Sequence, residues 1–329
     1  MGVAMFTLGG TIGMYERDGT VTRLTGAHLT EAVPGLAEVD LAVRDIEAVP
    51  SADLTIDRML DVIEAAELAI AEGATGIVVT QGTDTIEETA FLVDLLWPHP
   101  EPFVFTGAMR NPRLAGPDGP ANVLAAARVA ASAQARDRGA LLVFADEVHA
   151  ARWVRKTHST SIATFQSPNV GPIGHVVEGE VRLLAEPPRR PVVVEPSARP
   201  SLRAALATTR VGLYTVALDD EGSLLDAAAE IYQGLVVAAF GVGHVPGHLA
   251  PRLGAIAERM PVVLASRTGA GSVLSGTYHA PGSETDLQRR GLLSARFLTP
   301  YQARLLLRLL LATDRSAPED LRAAFGIYG

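Results

Sequence analysis

Ile77-Val78-Val79-Thr80-Gln81-Gly82-Thr83-Asp84-Thr85-Ile86-Glu87-Glu88 joins an apolar, β-branched run to a turn and then to a helix start. The run predicts a buried strand, Ile77–Thr80. Thr85 with Glu88 three residues on predicts a capping box for a helix over Thr85–Leu96, with Asp84 just outside it on the turn. The same alternation extends in both directions. Upstream lie an opening strand, Val3–Leu8, and a helix over Thr55–Glu72. Downstream come a strand Phe103–Phe105, a helix over Gly119–Ala131, a strand Leu141–Ala145 and a hairpin, His175–Glu178 against Glu180–Leu184, turning at Gly179. Strand–helix alternation implies a parallel sheet covered by helices.

Glu186-Pro187-Pro188-Arg189-Arg190-Pro191, followed by Pro196 and Pro200, reads as a semi-rigid linker. The rhythm then resumes with strands over Val211–Leu218, Leu235–Phe240 and Val262–Ser266. A last helix opens at the N-cap Thr299 and Pro300. The chain is therefore expected to be an α/β protein. A larger N-terminal parallel-sheet domain (1–185) joins a smaller C-terminal α/β domain (209–329) through a proline-rich linker (186–208).

The bulk numbers exclude several classes. A net charge of −9 argues against nucleic acid or an anionic membrane as partner. With no cysteine, disulfides and thiolate metal sites are ruled out. The longest apolar stretch near the end, Leu305–Ala312, is short and broken by Arg308, too little to span a bilayer. With a strand already at Val3 and no basic leader before it, a cytoplasmic location is expected. A secreted form with its leader removed is the alternative.

Ligands of open parallel sheets sit beyond the carboxyl ends of the strands. The strands here run into Gly9-Gly10-Thr11-Ile12-Gly13, Gln81-Gly82-Thr83-Asp84-Thr85, Thr106-Gly107-Ala108-Met109-Arg110, and Ala145-Asp146-Glu147 with Lys156 beyond. Lys156 is the only lysine, set among 27 arginines. An amine gives up its proton far more readily than a guanidinium, so a lysine kept against that bias fits a base. Lys156, held by Asp84, is placed to deprotonate Thr83, with Thr11 as a second hydroxyl and the glycine turns as oxyanion donors. The duller readings are a helix cap for Thr83 and Asp84, and a nucleotide-binding turn for Gly9–Gly13. That turn lacks the full G-x-G-x-x-G pattern.

At these residues the chain resembles the bacterial-type L-asparaginase/glutaminase family, threonine-nucleophile amidohydrolases, over essentially its whole length. Thr7-Leu8-Gly9-Gly10-Thr11-Ile12 is similar to the first family signature, Gln81-Gly82-Thr83-Asp84-Thr85 to the second, and Lys156 in Val154-Arg155-Lys156-Thr157 to the family lysine. The resemblance implies that Thr11 attacks the side-chain amide of L-asparagine, ammonia leaves, and water releases L-aspartate from an acyl-enzyme. Thr83, Asp84 and Lys156 complete the catalytic set, and no metal or organic cofactor is needed. Ser51 would hold the substrate α-carboxylate, Asp84 the α-amino group, and Ala108 would lie over the reacting amide. Glu284 would reach a neighbouring subunit's site, which implies a homo-oligomer, a dimer or a dimer of dimers.

Some positions depart from the family pattern. Gln81 replaces a histidine, and Ala52 stands where many members carry a glutamine that touches the substrate amine. His244 replaces an asparagine. Thr20 stands roughly where some members carry the tyrosine that closes over the nucleophile; Tyr15, the one tyrosine in the segment Gly13–Ala27, which is read as a lid, either takes that role from a different point or is a solvent-facing loop aromatic. The alternatives to L-asparagine hydrolysis are a broader amidohydrolase preferring L-glutamine or a modified asparagine, and a non-catalytic amino-acid sensor. A tRNA-dependent amidotransferase subunit would carry an extra N-terminal domain.

Overall fold

The structure is a computed structural model that describes residues 2–9, 33–313 and 315–329, and 14–17 and 20–23 by their backbone alone. Thr11 and Gly10 lie outside the described residues, as does the side chain of Tyr15. The chain divides into two compact units, Met1–Val192 and Val193–Gly329.

The strands of the first unit are β1 (Val3–Thr7), β2 (Met14–Arg17), β3 (Thr20–Arg23), β4 (Leu41–Asp45), β5 (Gly76–Thr80), β6 (Phe103–Thr106), β7 (Ala140–Phe144), β8 (Glu147–Ala150), β9 (Arg155–Lys156), β10 (Phe165–Gln166), β11 (Gly174–Val177) and β12 (Glu180–Leu183). Eight of them form one sheet in the order β12-β11-β8-β7-β6-β5-β1-β4. From β4 to β7 every pairing is parallel. Beyond β7 the sheet gains three antiparallel strands that the sequence reading had not assigned to it. The reason lies in the turn after β7. Ala145 and Asp146 both take left-handed φ values, 51° and 61°, which fold the chain straight back into a hairpin. The strand therefore ends at Phe144, and Lys156 comes only after β8.

Alternation along the parallel strands builds two apolar faces. Val3, Met5, Val78, Val104, Leu141 and Val143 pack with the helix Gly119–Ala131. On the alternate positions Phe103 stacks on Phe105 at 5.3 Å and meets Trp97, the residue after the helix Ile86–Leu96, edge-on at 5.0 Å. The helix Ile56–Ala71 starts where the sequence places it, with the Thr55 hydroxyl accepting the Arg58 N–H.

The predicted capping box at Thr85 does not form. Thr85 donates its hydroxyl to the Ser51 carbonyl at 2.9 Å, and a short 3-10 turn, Thr83–Thr85, precedes the helix Ile86–Leu96. Long-range demand for that hydroxyl outweighs the local cap. The segment read as a lid contains the antiparallel pair β2–β3, with Tyr15 opposite Thr22. Tyr15, Val21 and Thr22 are residue types that suit such a ladder better than a bare loop.

In the second unit β13 (Val211–Thr215), β14 (Gly234–Ala239), β15 (Val262–Ser266) and β16 (Leu293–Ser294) form one parallel sheet in that order. Part of the segment read as linker is helical, Arg199–Leu206, because Pro200 falls in the first turn, where its missing N–H costs nothing. The last long helix, Pro300–Leu311, carries a full capping box between Thr299 and Gln302.

Candidate active site

The exit of β5 is the centre of the site. Gly82 is required there by packing, since a Cβ at that position would stand 2.6 Å from the Ser51 hydroxyl. Ser51 is buried and organises the turn, its Oγ accepting the Asp84 N–H at 3.2 Å. Gln81 is fully buried, with its Oε1 accepting the Thr89 hydroxyl at 3.0 Å and its Nε2 donating to the Gly82 carbonyl at 3.3 Å. Both ends of its amide are thus engaged in joining the strand end to the following helix.

Lys156 reaches this turn from β9, one strand of a separate two-residue ribbon in which it pairs with Phe165 of β10. Its Nζ lies 2.9 Å from Thr83 Oγ1 and 2.8 Å from Asp84 Oδ1. The lysine side chain is 16% exposed, whereas the Asp84 side chain is 69% exposed. The pair is therefore screened by solvent on the carboxylate side and sheltered on the amine side. The backbone N–H of Lys156 donates to Glu87 Oε2 at 3.2 Å. Burial pushes Glu87 up to about 7, outweighing the Lys156 N–H bond and the attraction of Arg155; Glu88 adds repulsion and the Lys156 charge adds attraction.

The exits of β6 and β7 are tied together by Asn122, a residue the sequence reading passed over as helix interior. Its Nδ2 donates to the Gly107 carbonyl at 3.0 Å and its Oδ1 accepts the Ala145 N–H at 2.9 Å. Gly107 packs so closely that a Cβ would sit 2.7 Å from the Gln81 carbonyl oxygen and 3.2 Å from Thr83 Cγ2. Asn122 thus fixes the floor beneath Thr83. Asp118 accepts the N–H groups of Met109 and Arg110 at 3.0 and 2.9 Å, shaping the loop that follows Ala108. Asn122→Ala would leave two backbone groups without a partner. A loss of about 2–4 kcal/mol in unfolding free energy is expected by chemical denaturation.

The first unit thus brings Ser51, Thr83, Asp84 and Lys156 together, with Gly107 against Thr83 and buried Ala108 beside it in the chain. Ala52 is exposed on the short turn after Ser51. Among the described residues, no group of three or more His, Cys, Asp or Glu side chains is arranged to hold a metal.

Glu284 belongs to the second unit and is fully buried within it. Its Oε1 accepts the N–H groups of Thr277 and Tyr278 at 3.0 and 2.8 Å, and its Oε2 lies 3.1 Å from His244 Nε2. Burial pushes this carboxyl up, but the N–H of Tyr278, that of Glu284 itself, the N–H of Thr277 and the His244 ring together bring it below its ordinary value. His244 also meets the Tyr278 ring edge-on at 4.9 Å. The histidine is built into the support of Glu284.

Residues 2–189 match the asparaginase N-terminal domain, and residues 210–325 match the glutaminase/asparaginase C-terminal domain. The chain belongs to the asparaginase family. A probable L-asparaginase of Deinococcus radiodurans is 36% identical to it, over 98% of this chain and 96% of that protein. L-asparaginase 2 of Escherichia coli K12 is 30% identical, over 99% and 93%. The crystal structure of a probable cytoplasmic L-asparaginase from Campylobacter jejuni superposes with a TM-score of 0.88 at 28% identity, covering 99% of both chains. In this asparaginase-family chain, no helix among the described residues is long and apolar enough to cross a membrane.

Proposed function

We propose that the chain hydrolyses the side-chain amide of L-asparagine to L-aspartate and ammonia through a threonine acyl-enzyme. The observation that supports this best is the triangle of Lys156 Nζ, Thr83 Oγ1 and Asp84 Oδ1 at 2.9 and 2.8 Å. A hydroxyl becomes a usable nucleophile when a neighbouring group takes its proton. Lys156 is at the right distance to take one from Thr83, and Asp84 holds the amine in place.

In this reading the Thr11 oxygen bonds to the amide carbon and the carbon–nitrogen bond breaks. The proton released from Thr11 passes through the Thr83 hydroxyl to Lys156 and is returned to the nitrogen, which leaves as ammonia. Water then adds to the acyl-enzyme, its oxygen going to L-aspartate and a proton returning to Thr11. Tyr15 closes over the nucleophile from β2. Asp84 receives the substrate ammonium, Ser51 its α-carboxylate, and Ala108 covers the amide. No cofactor takes part. Glu284 serves the site of a neighbouring copy, with His244 between the carboxylate and solvent, so the working unit is a homo-oligomer, a dimer or dimer of dimers, in the cytoplasm.

Ammonia release measured side by side on L-asparagine and L-glutamine tests the substrate. Faster turnover of L-glutamine would overturn it, and binding of L-aspartate with no hydrolysis of either amide would make the chain a sensor. Rapid quenching followed by peptide mass spectrometry tests the intermediate. An aspartyl group on the peptide containing Thr11 is expected, and its appearance on Thr83 instead would reassign the nucleophile.

A further inference from the structure

The amine of Lys156 must be held to within a fraction of an ångström, yet its strand is not part of the main sheet. β9 and β10 pair over two residues each and form a sheet of their own, apart from the eight-stranded sheet. The β10 side is anchored. Phe165 packs on Phe144 at 4.9 Å, and Ser167 Oγ, just past the strand, lies 2.9 Å from Nδ1 of the buried His149 in β8. On the β9 side buried Val154, just before the strand, donates its N–H to the Ala150 carbonyl at 3.2 Å, and at Lys156 itself the anchor is a carboxylate. Glu87 lies one helical turn after Thr83 and Asp84, and its Oε2 accepts the Lys156 backbone N–H at 3.2 Å across 69 residues of sequence.

Resting on the catalytic reading above, we infer that Glu87 is a positioning residue for Lys156: it docks the lysine's backbone onto the helix start that presents Thr83 and Asp84, and so sets the reach of the amine. One short stretch of chain then carries both the groups the amine meets and the group that fixes where the amine comes from. Any shift of the ribbon relative to that helix changes the Lys156–Thr83 distance directly. The anchor is a costly choice of side chain, since burial pushes Glu87 up to about 7 despite the facing charges of Arg155 and Lys156, with Glu88 of its own helix opposing them. Above neutrality the ionised group accepts the N–H strongly. Below it the protonated group is a weaker acceptor, so turnover acquires an acidic limb close to pH 7.

The test compares Glu87→Ala, Glu87→Gln and Lys156→Ala by steady-state kinetics on L-asparagine across pH. Misplacing a reacting group by an ångström costs up to about a hundredfold, so Glu87→Ala is expected to lower kcat at least about tenfold, with KM changed less than about threefold. Glu87→Gln keeps an acceptor oxygen and is expected to recover kcat to within about threefold of the parent above neutrality, while the limb near pH 7 disappears. Wild-type kcat in Glu87→Ala, a Glu87→Gln variant as impaired as Glu87→Ala, or an unchanged acidic limb in Glu87→Gln would each overturn the role. Should Glu87→Ala fail to fold, the pH profile of Glu87→Gln decides alone. Activity surviving in Lys156→Ala would remove the catalytic reading itself. An inactive Lys156→Ala beside wild-type Glu87 variants would remove only the positioning role.

Discussion

Lys156→Ala is expected to reduce turnover of L-asparagine by about 10²–10⁴-fold, the usual contribution of a positioned general base. The Nζ is the group shared between Thr83 Oγ1 and Asp84 Oδ1, and no other lysine exists in the chain to replace it. Folding should survive the change. Asp84 loses its partner, but its side chain is 69% exposed and water replaces the bond. A pair whose carboxylate is this exposed contributes little to stability, on the order of 1 kcal/mol. A large drop in kcat with a melting temperature close to the parent is therefore the expected pairing. Lys156→Arg should be nearly as damaging, because a guanidinium keeps its proton at neutral pH and its planar fork does not fit where a compact amine stood. Ordinary turnover in either variant would take the base out of the scheme.

The parallel core was legible because its code is local. β5, β6, β7 and β15 are short apolar runs, and several of the helices announce themselves through a Thr55 or Thr299 cap or a proline in the first turn. The rule that strand ends gather ligands pointed to Thr83 and Asp84 at the exit of β5, whereas Lys156 reaches them from the separate β9–β10 ribbon. The features that escaped the reading have partners far away in sequence. β8, Glu147-Val148-His149-Ala150, looks polar, yet His149 is fully buried because Ser167 and Glu147 occupy its two nitrogens. β4 was missed because it is a half-buried edge strand of mixed character. Thr85 carries the local signature of a cap but bonds to Ser51, 34 residues away. Asn122 and Glu87 sit inside helical patterns that hide their side-chain bonds to distant backbone. In each of these last three a long-range hydrogen bond overrode or concealed the local signal, and local pattern alone cannot reveal such a bond.

Arg152→Ala is expected to cost about 3–5 kcal/mol of stability, the range for breaking a buried ion pair by removing one partner. Arg152 and Asp94 have side chains only 5% and 6% exposed, with Nη2 2.9 Å from Asp94 Oδ2. Arg152 Nη1 also donates to the Pro188 carbonyl at 2.9 Å, and Asp94 Oδ1 accepts the Ala140 N–H at 3.1 Å. The pair thus joins the start of β7 and the proline-rich segment to the last turn of the helix Ile86–Leu96. Removing the guanidinium strands a carboxylate that solvent can scarcely reach, whereas at Asp84 water is already present. That helix begins where Thr83, Asp84 and Glu87 stand, so its two ends answer to different demands: chemistry at one, anchoring at the other. The expected result is accordingly the reverse of that for Lys156→Ala, a midpoint shifted strongly in denaturant titration with kcat within about threefold while the protein remains folded. Pairing Arg152→Met with Asp94→Leu should recover part of the loss, because two apolar groups leave no charge unsatisfied, while the Ala140 N–H and the Pro188 carbonyl still lose these partners. If the double variant lost as much as the two single changes added together, the pair would have no coupling, and the anchor would have to lie elsewhere.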